Sequence, residues 1–239
     1  MRNIISVENL KKSYKSKIAV DNLCISVKKG EFFGLLGHNG AGKSTTIDCI
    51  LGLKNFESGT VRILDMNPKK SRKELFERVG IQLQSSSYQD KVKVYELCEE
   101  ISVLYKEADD YKRLLKELSL EKIKNNYVSS LSGGEKQKLA ILLALIPKPE
   151  VVFLDELTTG LDTEARREVW KQLNKLKKEG VTILLTSHYM DEVEELCDKI
   201  CIIKNGKEVI SGTVEEVISS SPYTKLEDAY LWYMEKEDV

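Results

Sequence analysis

A glycine-rich loop near the start of the chain has the residue types and spacing of a phosphate-binding loop. The segment GHNGAGKST fits the pattern G-x-x-x-x-G-K-S/T. Glycines let the backbone curl so that successive N–H groups point at phosphate oxygens, and a following helix adds the positive end of its dipole. We expect Lys43 to pair with the β- and γ-phosphates and Ser44 to offer its hydroxyl to Mg²⁺. The loop therefore predicts a site for ATP with Mg²⁺, bound by Gly37, His38, Asn39, Gly40, Ala41, Gly42, Lys43, Ser44 and Thr45.

Two acidic residues follow an apolar run in the second half of the chain, in the segment VVFLDE. A run this apolar is typical of a buried parallel strand, and ligands bind at the carboxyl ends of such strands. We expect Asp155 to face the metal, usually through a water, and Glu156 to polarise the water that attacks the γ-phosphate. The alternative is a solvated acidic turn, because this dipeptide is common by itself.

The segment LSGGE, which lies between these two motifs, has the features of a second anion-binding site. Two glycines after a serine open a predicted helix, and a helix N-terminus attracts anions. A protein with one nucleotide pocket has no use for two such sites unless they meet across a dimer. The candidate contacts to a nucleotide are Ser132, Gly133, Gly134 and Glu135.

The elements around these motifs follow from the spacing of apolar residues. Alternation over the first thirty residues predicts short antiparallel strands. Further strands are predicted at 31–36, 61–64, 151–154 and 181–186, with a hairpin over 200–209 that turns at Asn205-Gly206. Helices are predicted at 43–53, 134–146, 163–179 and 190–199, and 92–120 is predicted to be a helical insert of two or three helices. Strands that alternate with helices in this way indicate an α/β fold with a mostly parallel sheet.

The composition narrows the class of protein. Charged residues make up 31% of the 239 residues, and a formal net charge of −1 gives no support to a nucleic-acid partner. The longest uncharged apolar run, 139–146, is far shorter than the roughly 20 residues that cross a bilayer. The charged N-terminal segment does not fit a secretory signal. We expect the five cysteines to be reduced packing residues of a cytosolic protein, since no metal-binding spacing is present.

In their order and spacing these motifs resemble the ATP-binding cassette of ABC transporters, and the resemblance covers nearly the whole chain. It is carried by Tyr14, the glycine-rich loop, Gln84 in VGIQLQ, the LSGGE and VVFLDE segments, Asp162 in GLD, and His188 in TSH. The resemblance implies a P-loop NTPase (RecA-like) core with an N-terminal antiparallel β-subdomain and an inserted helical subdomain. It implies one domain over 1–239, with 1–84 and 149–220 forming the core and β-subdomain, 85–148 the helical subdomain and 221–239 a tail.

The same resemblance implies roles for residues outside the glycine-rich loop. Two cassettes would pair head to tail, as a homodimer if the partner is identical, so that each loop closes on the other's LSGGE segment with ATP between them. Tyr14 would stack on adenine, Gln84 would contact the metal and the attacking water, and His188 would hold the γ-phosphate. Asp162 would communicate across the dimer. As alternatives, Tyr14 is an ordinary aromatic at a strand end, Gln82 takes the role of Gln84, and His188 is structural.

The sequence departs from the family pattern at two positions. Glu135 stands where the family commonly has glutamine, which suits a helix N-terminus but brings negative charge towards the nucleotide. Leu157 stands where a proline usually stiffens the turn after the catalytic glutamate, so we expect a more mobile loop between it and Asp162. Neither change removes a catalytic group.

The segments TSHYMDEVEELCDKICIIKNGK and KLEDAYLWYMEK resemble the exporter branch, whose membrane partner is an ABC-2 type permease. The permease is expected to be a separate polypeptide that holds this chain at the cytoplasmic face of the membrane. The expected dock is the helical lobe with residues 84–88, and the alternative is a solvated polar loop. Alternative functions for the chain are an importer ATPase, a soluble ABC-type ATPase of DNA repair or translation, and a nucleotide sensor without turnover. The transported substrate is not predicted.

Overall fold

The first sheet has three strands, two of which lie in the N-terminal region where the alternating pattern predicts antiparallel strands. Residues 3–15, 17–83, 88 and 91–235 are described by the computed structural model. The sheet is antiparallel in the order β2-β1-β4, and its strands are β1 (Asn3–Tyr14), β2 (Lys17–Lys28) and β4 (Ser58–Ile63). At twelve residues each, β1 and β2 are longer than the short strands expected. Their inward side chains, such as Ile5, Val7 and Leu23, are buried.

The second sheet has six strands in the order β5-β6-β7-β3-β8-β9. All neighbours are parallel except the hairpin of β8 and β9, which turns at Asn205-Gly206 as predicted. The strands are β3 (Phe32–Leu36), β5 (Val79–Gln82), β6 (Val151–Asp155), β7 (Thr182–Ser187), β8 (Lys199–Lys204) and β9 (Lys207–Thr213). Every residue of β3, β6 and β7 is buried, which explains their continuous apolar runs.

Nine helices pack around the sheets in the described part of the chain. They are α1 (Lys43–Ile50), α2 (Arg72–Phe76), α3 (Val94–Ser102), α4 (Tyr111–Glu117), α5 (Gly133–Leu145), α6 (Thr163–Lys178), α7 (Met190–Leu196), α8 (Val214–Ser219) and α9 (Leu226–Glu235). The three helices α3, α4 and α5 lie between β5 and β6 in the chain, where the helical insert was expected. Among the described residues, no helix is long and apolar enough to span a bilayer.

Side chains on opposite faces of the six-stranded sheet enter two separate cores. On β3, Phe33 and Leu35 pack towards the three-stranded sheet and α1, whereas Phe32 and Leu36 pack towards the helices of the other layer. This alternation follows from the two-residue period of a strand. Burial on both faces holds the strands in register and fixes where each one ends.

Besides the longer β1 and β2, several predicted bounds were wrong in detail, and the helix predicted over 43–53 ends at Ile50. The helix predicted over 190–199 ends at Leu196, because Lys199 pairs with Phe33 and the backbone N–H of Phe32 donates to the Asp198 carboxylate at 2.9 Å. These sheet contacts take the last residues out of the helix. The other correction concerns Cys24, which is exposed rather than packed. Cys49, Cys98, Cys197 and Cys201 are free and buried, as expected.

Candidate functional site

The glycine-rich loop, the acidic pair and the histidine come together because of the strand order. The loop follows β3, Asp155 ends β6, and His188 follows β7. β7 lies between the other two strands, with Leu36 opposite Ser187 and Asp155 opposite Thr186. Because parallel strands end at one edge of the sheet, their motifs line a single edge.

The glycine-rich loop has a backbone that requires glycine. Gly42, the N-cap of α1, has φ of 111°, and a Cβ atom there would lie 2.3 Å from the carbonyl oxygen of Ala19. A side chain at this position would meet both a strained backbone and a steric clash. The turn between β8 and β9 contacts the loop, because the N–H of Gly206 donates to the carbonyl of Ala41 at 2.9 Å. These contacts keep the loop curled in front of α1.

Lys43 and Glu156 form an ion pair at the centre of the site. Lys43 is buried; its Nζ lies 3.5 Å from Glu156 Oε1 and donates to the carbonyl of Gly37 at 2.8 Å. Glu156 has a left-handed φ of 51°, and its N–H donates to the hydroxyl of Thr186 at 3.0 Å. A non-glycine residue in this region of φ is uncommon and is held by its surroundings. The strained backbone thus places the carboxylate beside the lysine.

Asp155 is 4% exposed, and the hydroxyl of Thr186 donates to its Oδ1 at 2.5 Å. Ser44 lines a cavity in front of the glycine-rich loop. In the part of the chain that the structure describes, no three His, Cys, Asp or Glu side chains form a cluster for a metal. Magnesium in nucleotide sites needs only one or two protein oxygens, because phosphates and waters supply the others. The Ser44 hydroxyl and the Asp155 carboxylate therefore fit Mg²⁺ bound with a nucleotide.

A cavity of about 390 Å³ opens in front of the glycine-rich loop. This volume falls in the range of small-molecule sites, about 300–1,000 Å³. Its lining comes from two strands of the N-terminal sheet, the loop and the second acidic residue, namely Tyr14, Lys17, Ala19, Asn39, Gly40, Gly42, Lys43, Ser44, Thr45 and Glu156. Six of the nine loop residues predicted to bind the nucleotide thus share one cavity with Tyr14, whereas Gly37, His38 and Ala41 do not line it.

Tyr14 lies at the end of β1 with 42% of its surface exposed. The amines of Lys12 and Lys54 lie 4.8 and 5.6 Å from its ring centroid. The pKa of Lys54 is raised, first by its hydrogen bond to Asp48 and then by one to Tyr14. An exposed aromatic ring in the same cavity as the phosphate loop is compatible with adenine stacking, which stays a prediction.

His188 is exposed at the end of β7, and its ring centroid lies 4.3 Å from that of Tyr189. It does not line the cavity in front of the glycine-rich loop. The strand order places it on the expected edge of the sheet, next to the segment that carries Asp155. Its contact with a γ-phosphate stays a prediction.

Ser132 and Glu135 form a capping box at the start of α5. The N–H of Ser132 donates to Glu135 Oε2 at 2.8 Å, and the N–H of Glu135 donates to Ser132 Oγ at 3.3 Å. The carboxylate that was expected to bring negative charge towards the nucleotide is thus hydrogen-bonded to its own helix. None of residues 132–135, all of them described, lines the cavity of its own chain. Ser132 and Gly133 are exposed and free to meet another molecule.

The loop after Glu156 is anchored at both ends. Leu157 and Thr158 are 3% and 1% exposed, so burial constrains the turn where a proline ring would otherwise do so. Asp162 caps α6, and its Oδ1 accepts from the N–H of Ala165 at 2.8 Å. This contact lies within one chain, so the role of Asp162 across a dimer stays a prediction.

Gln84, predicted to contact the metal and the attacking water, lies outside the described residues. Its neighbour Gln82 is buried, and its Nε2 donates to the carbonyl of Leu83 at 2.8 Å. Gln82 lines a different cavity, which also includes Tyr88. The described geometry therefore turns Gln82 away from the nucleotide cavity.

Sequence reasoning missed Thr186. Its hydroxyl contacts both Asp155 and the N–H of Glu156, so it orients the acidic pair. A threonine at the end of an apolar strand is a weak signal by itself. It becomes informative only when β7 is known to lie beside β6.

Comparisons with known proteins identify the family of the chain. The description "ABC transporter" belongs to the family that matches residues 20–159. The Nod factor export ATP-binding protein I of Burkholderia orbicola is 37% identical over 221 residues, which cover 90% of this chain and 73% of that protein. The protein of the same name from Ralstonia nicotianae is 38% identical over 221 residues, covering 90% and 69%.

Solved structures resemble the fold over nearly its full length. An ATP-binding subunit of an ABC transporter superposes with a TM-score of 0.87 at 26% identity and covers 96% of this chain and 99% of its own. A dimeric ATP-binding cassette in a post-hydrolysis state, bound to ADP and Pi, gives a TM-score of 0.77 at 25% identity and covers 87% and 98%.

Proposed function

The chain belongs to the ABC transporter family and is an ATP-binding ATPase, and we propose that it powers export of a substrate through a separate membrane permease. The observation that carries this proposal is the pairing of Lys43 with Glu156 in a cavity bounded by the glycine-rich loop. Export is supported by the printed names of the relatives, which are export ATP-binding proteins.

In the proposed reaction, the ion pair between Lys43 and Glu156 must open before hydrolysis. The γ-phosphate carries more negative charge than one carboxylate and competes for the Lys43 amine. Glu156 is then available to accept a proton from the water that attacks the γ-phosphate. Ser44 and Asp155 would hold Mg²⁺, which supplies positive charge to the β- and γ-phosphates when it is bound. Thr186 holds the Asp155 side chain and the backbone N–H of Glu156 in place throughout.

We further propose that two copies of the chain pair head to tail around ATP. Support comes from the exposed start of α5, where Ser132 and Gly133 lie outside the cavity of their own chain. A helix N-terminus supplies N–H groups and positive potential suited to a phosphate on another subunit. In this arrangement His188 and Gln84 would meet the γ-phosphate side of the site, and Asp162 would lie at the dimer interface. One solved relative is a dimer.

The proposed dock for the permease is a groove between β5 and the helical insert. It has a volume of about 230 Å³ and is lined by Phe76, Tyr88, Ile101, Tyr105 and other apolar residues. Between Ile101 and Tyr105 in the chain, Val103 and Leu104 leave 80% and 67% of their surfaces exposed. Apolar side chains beside a groove suit the apolar face of a short helix. We propose that an ABC-2 type permease supplies this helix and holds the chain at the cytoplasmic membrane face.

The division of the chain into a core with β-subdomain (1–84 and 149–220), a helical subdomain (85–148) and a tail (221–239) is part of this proposal. It is supported by the position of α3, α4 and α5 between β5 and β6.

The Tyr88→Ala variant is expected to uncouple transport from ATP hydrolysis. The ring lines the groove but not the nucleotide cavity, so its loss should weaken the permease contact and leave the basal ATPase rate within about twofold. The measurement is ATP-dependent substrate movement in vesicles that contain the chain and the membrane protein of the adjacent reading frame. Transport should fall about tenfold, a typical cost for losing an aromatic anchor at an interface.

The matched control is Tyr127→Ala, which removes an exposed tyrosine outside this groove. It should change neither transport nor ATPase rate. Equal transport by the wild-type and Tyr88→Ala chains would count against this dock. If no membrane protein copurifies with the chain or responds to ATP, the transport role itself would be contradicted.

A further inference from the structure

Glu192 of α7 is a buried carboxyl that the proposed reaction does not use. It is 3% exposed, and the indole N–H of Trp170 donates to its Oε1 at 3.1 Å. A carboxyl taken out of water is costly unless its oxygens have polar partners. Its burial in the helix that follows His188 therefore requires polar partners.

The partners of Glu192 come from two segments that carry the acidic pair and the histidine. The hydroxyls of Ser187 and Thr158 both face its carboxyl. Ser187 directly precedes His188, and Thr158 lies two residues after Glu156. The Thr158 hydroxyl is fully buried and makes no well-aligned hydrogen bond to any described residue. One carboxyl is thus placed between the end of β7 and the turn that follows β6.

A second set of contacts connects α7, the helix of Glu192, to His188. The ring of His188 lies against Tyr189, and the guanidinium of Arg166 lies 4.5 Å from the Tyr189 ring centroid. Arg166 also pairs with Asp191 at 3.2 Å and lies 5.9 Å from the ring of Trp170. The aromatic and charged groups between α6 and α7 therefore lie against one side of the segment that carries His188.

Burial raises the pKa of the Glu192 carboxyl above its ordinary value, and contacts with Ser187, Thr158 and Trp170 oppose the rise. The neighbouring Asp191 adds to it. Burial thus favours the neutral acid, which a glutamine amide resembles in shape and in having both a donor and an acceptor. Glutamine is therefore a fair substitute for this side chain, whereas methionine matches only its length.

We propose that Glu192 is a positioning residue that ties the segment of His188 to the turn after Glu156. By fixing Ser187 and Thr158 to one carboxyl, it would hold the two catalytic side chains in a fixed relation during hydrolysis. The inference rests on the proposed roles of Glu156 and His188. Small displacements of such groups have large effects, since a shift of about 1 Å can cost about 100-fold in rate.

The test compares Glu192→Gln with Glu192→Met in the full-length chain. ATPase rates are measured over a range of ATP concentrations, and thermal unfolding and ADP affinity are measured on the same samples. Glu192→Met should lower kcat about tenfold or more while KM for ATP and ADP affinity stay within about twofold, because the glycine-rich loop is untouched. Glu192→Gln should keep at least half of the wild-type kcat, since its amide restores the contacts.

A failure of the proposed Glu192 role and a failure of the proposed function would give different results. Wild-type kcat in Glu192→Met would show that only side-chain volume matters, and kcat in Glu192→Gln as low as in Glu192→Met would exclude positioning through these polar contacts. Either result would overturn the proposal. If Glu192→Met fails to fold, the single variants Glu192→Gln and Trp170→Phe are compared instead. Trp170→Phe removes the indole donor and should lower kcat without changing KM, whereas Glu192→Gln should keep at least half of the wild-type kcat. Lack of ATPase activity in the wild-type chain would instead contradict the proposed function.

Discussion

Glu156→Gln is expected to bind ATP with at least wild-type affinity and to lose 99% or more of its steady-state turnover. The amide cannot accept a proton from water, and a positioned general base contributes about 100-fold or more to such reactions. Binding should survive because the glycine-rich loop is unchanged, and Lys43 no longer has a carboxylate 3.5 Å away to compete with phosphate. The measurement is phosphate release at saturating ATP together with a nucleotide-binding titration.

Glu179→Gln is the matched control for this variant, since it makes the same chemical change at an exposed residue after the end of α6. Its turnover should equal that of the wild-type chain. Phosphate release by Glu156→Gln at close to the wild-type rate would remove Glu156 from the role of base.

Lys43→Ala is expected to lower nucleotide affinity by about 10- to 100-fold. Hydrogen bonds to a charged group contribute about 1.5–3 kcal/mol, and Lys43 is the buried cation that lines the cavity at the glycine-rich loop. Its loss also leaves the Glu156 carboxylate facing the phosphates without a neutralising charge, which repels the nucleotide further. A titration with ATP or ADP, followed by calorimetry, gives the affinity directly.

Lys178→Ala serves as the control because it removes an exposed lysine of α6 that does not line the cavity. It should bind ATP like the wild-type chain. If Lys43→Ala also binds with unchanged affinity, the nucleotide does not bind at the glycine-rich loop.

Local patterns were sufficient to predict the parts of the site that lie within one segment. The glycine-rich loop between β3 and α1, the acidic pair after β6 and the hairpin at Asn205-Gly206 each depend on neighbours in the sequence. Backbone freedom of glycine and the period of a strand act over a few residues, so they can be recognised without a structure.

Contacts between distant segments could not be predicted in this way. The pairing of Lys43 with Glu156 and the hydrogen bond from Thr186 to Asp155 depend on β7 lying between β3 and β6. Glu192 lies in an acidic segment, DEVEE, whose charges suggest a solvated helix face, yet it is buried because Trp170 and the end of β7 cover it. Strand order and helix packing decided these contacts.

We propose that ATP joins two copies of this chain, with the LSGGE segment of each completing the site of the other. The most direct measurement is the molar mass of Glu156→Gln by size-exclusion chromatography with light scattering, in saturating ATP with Mg²⁺ and then in ADP. We expect twice the 27.2 kDa of the chain in ATP and the single-chain mass in ADP. A monomer that persists at saturating ATP would contradict the claim.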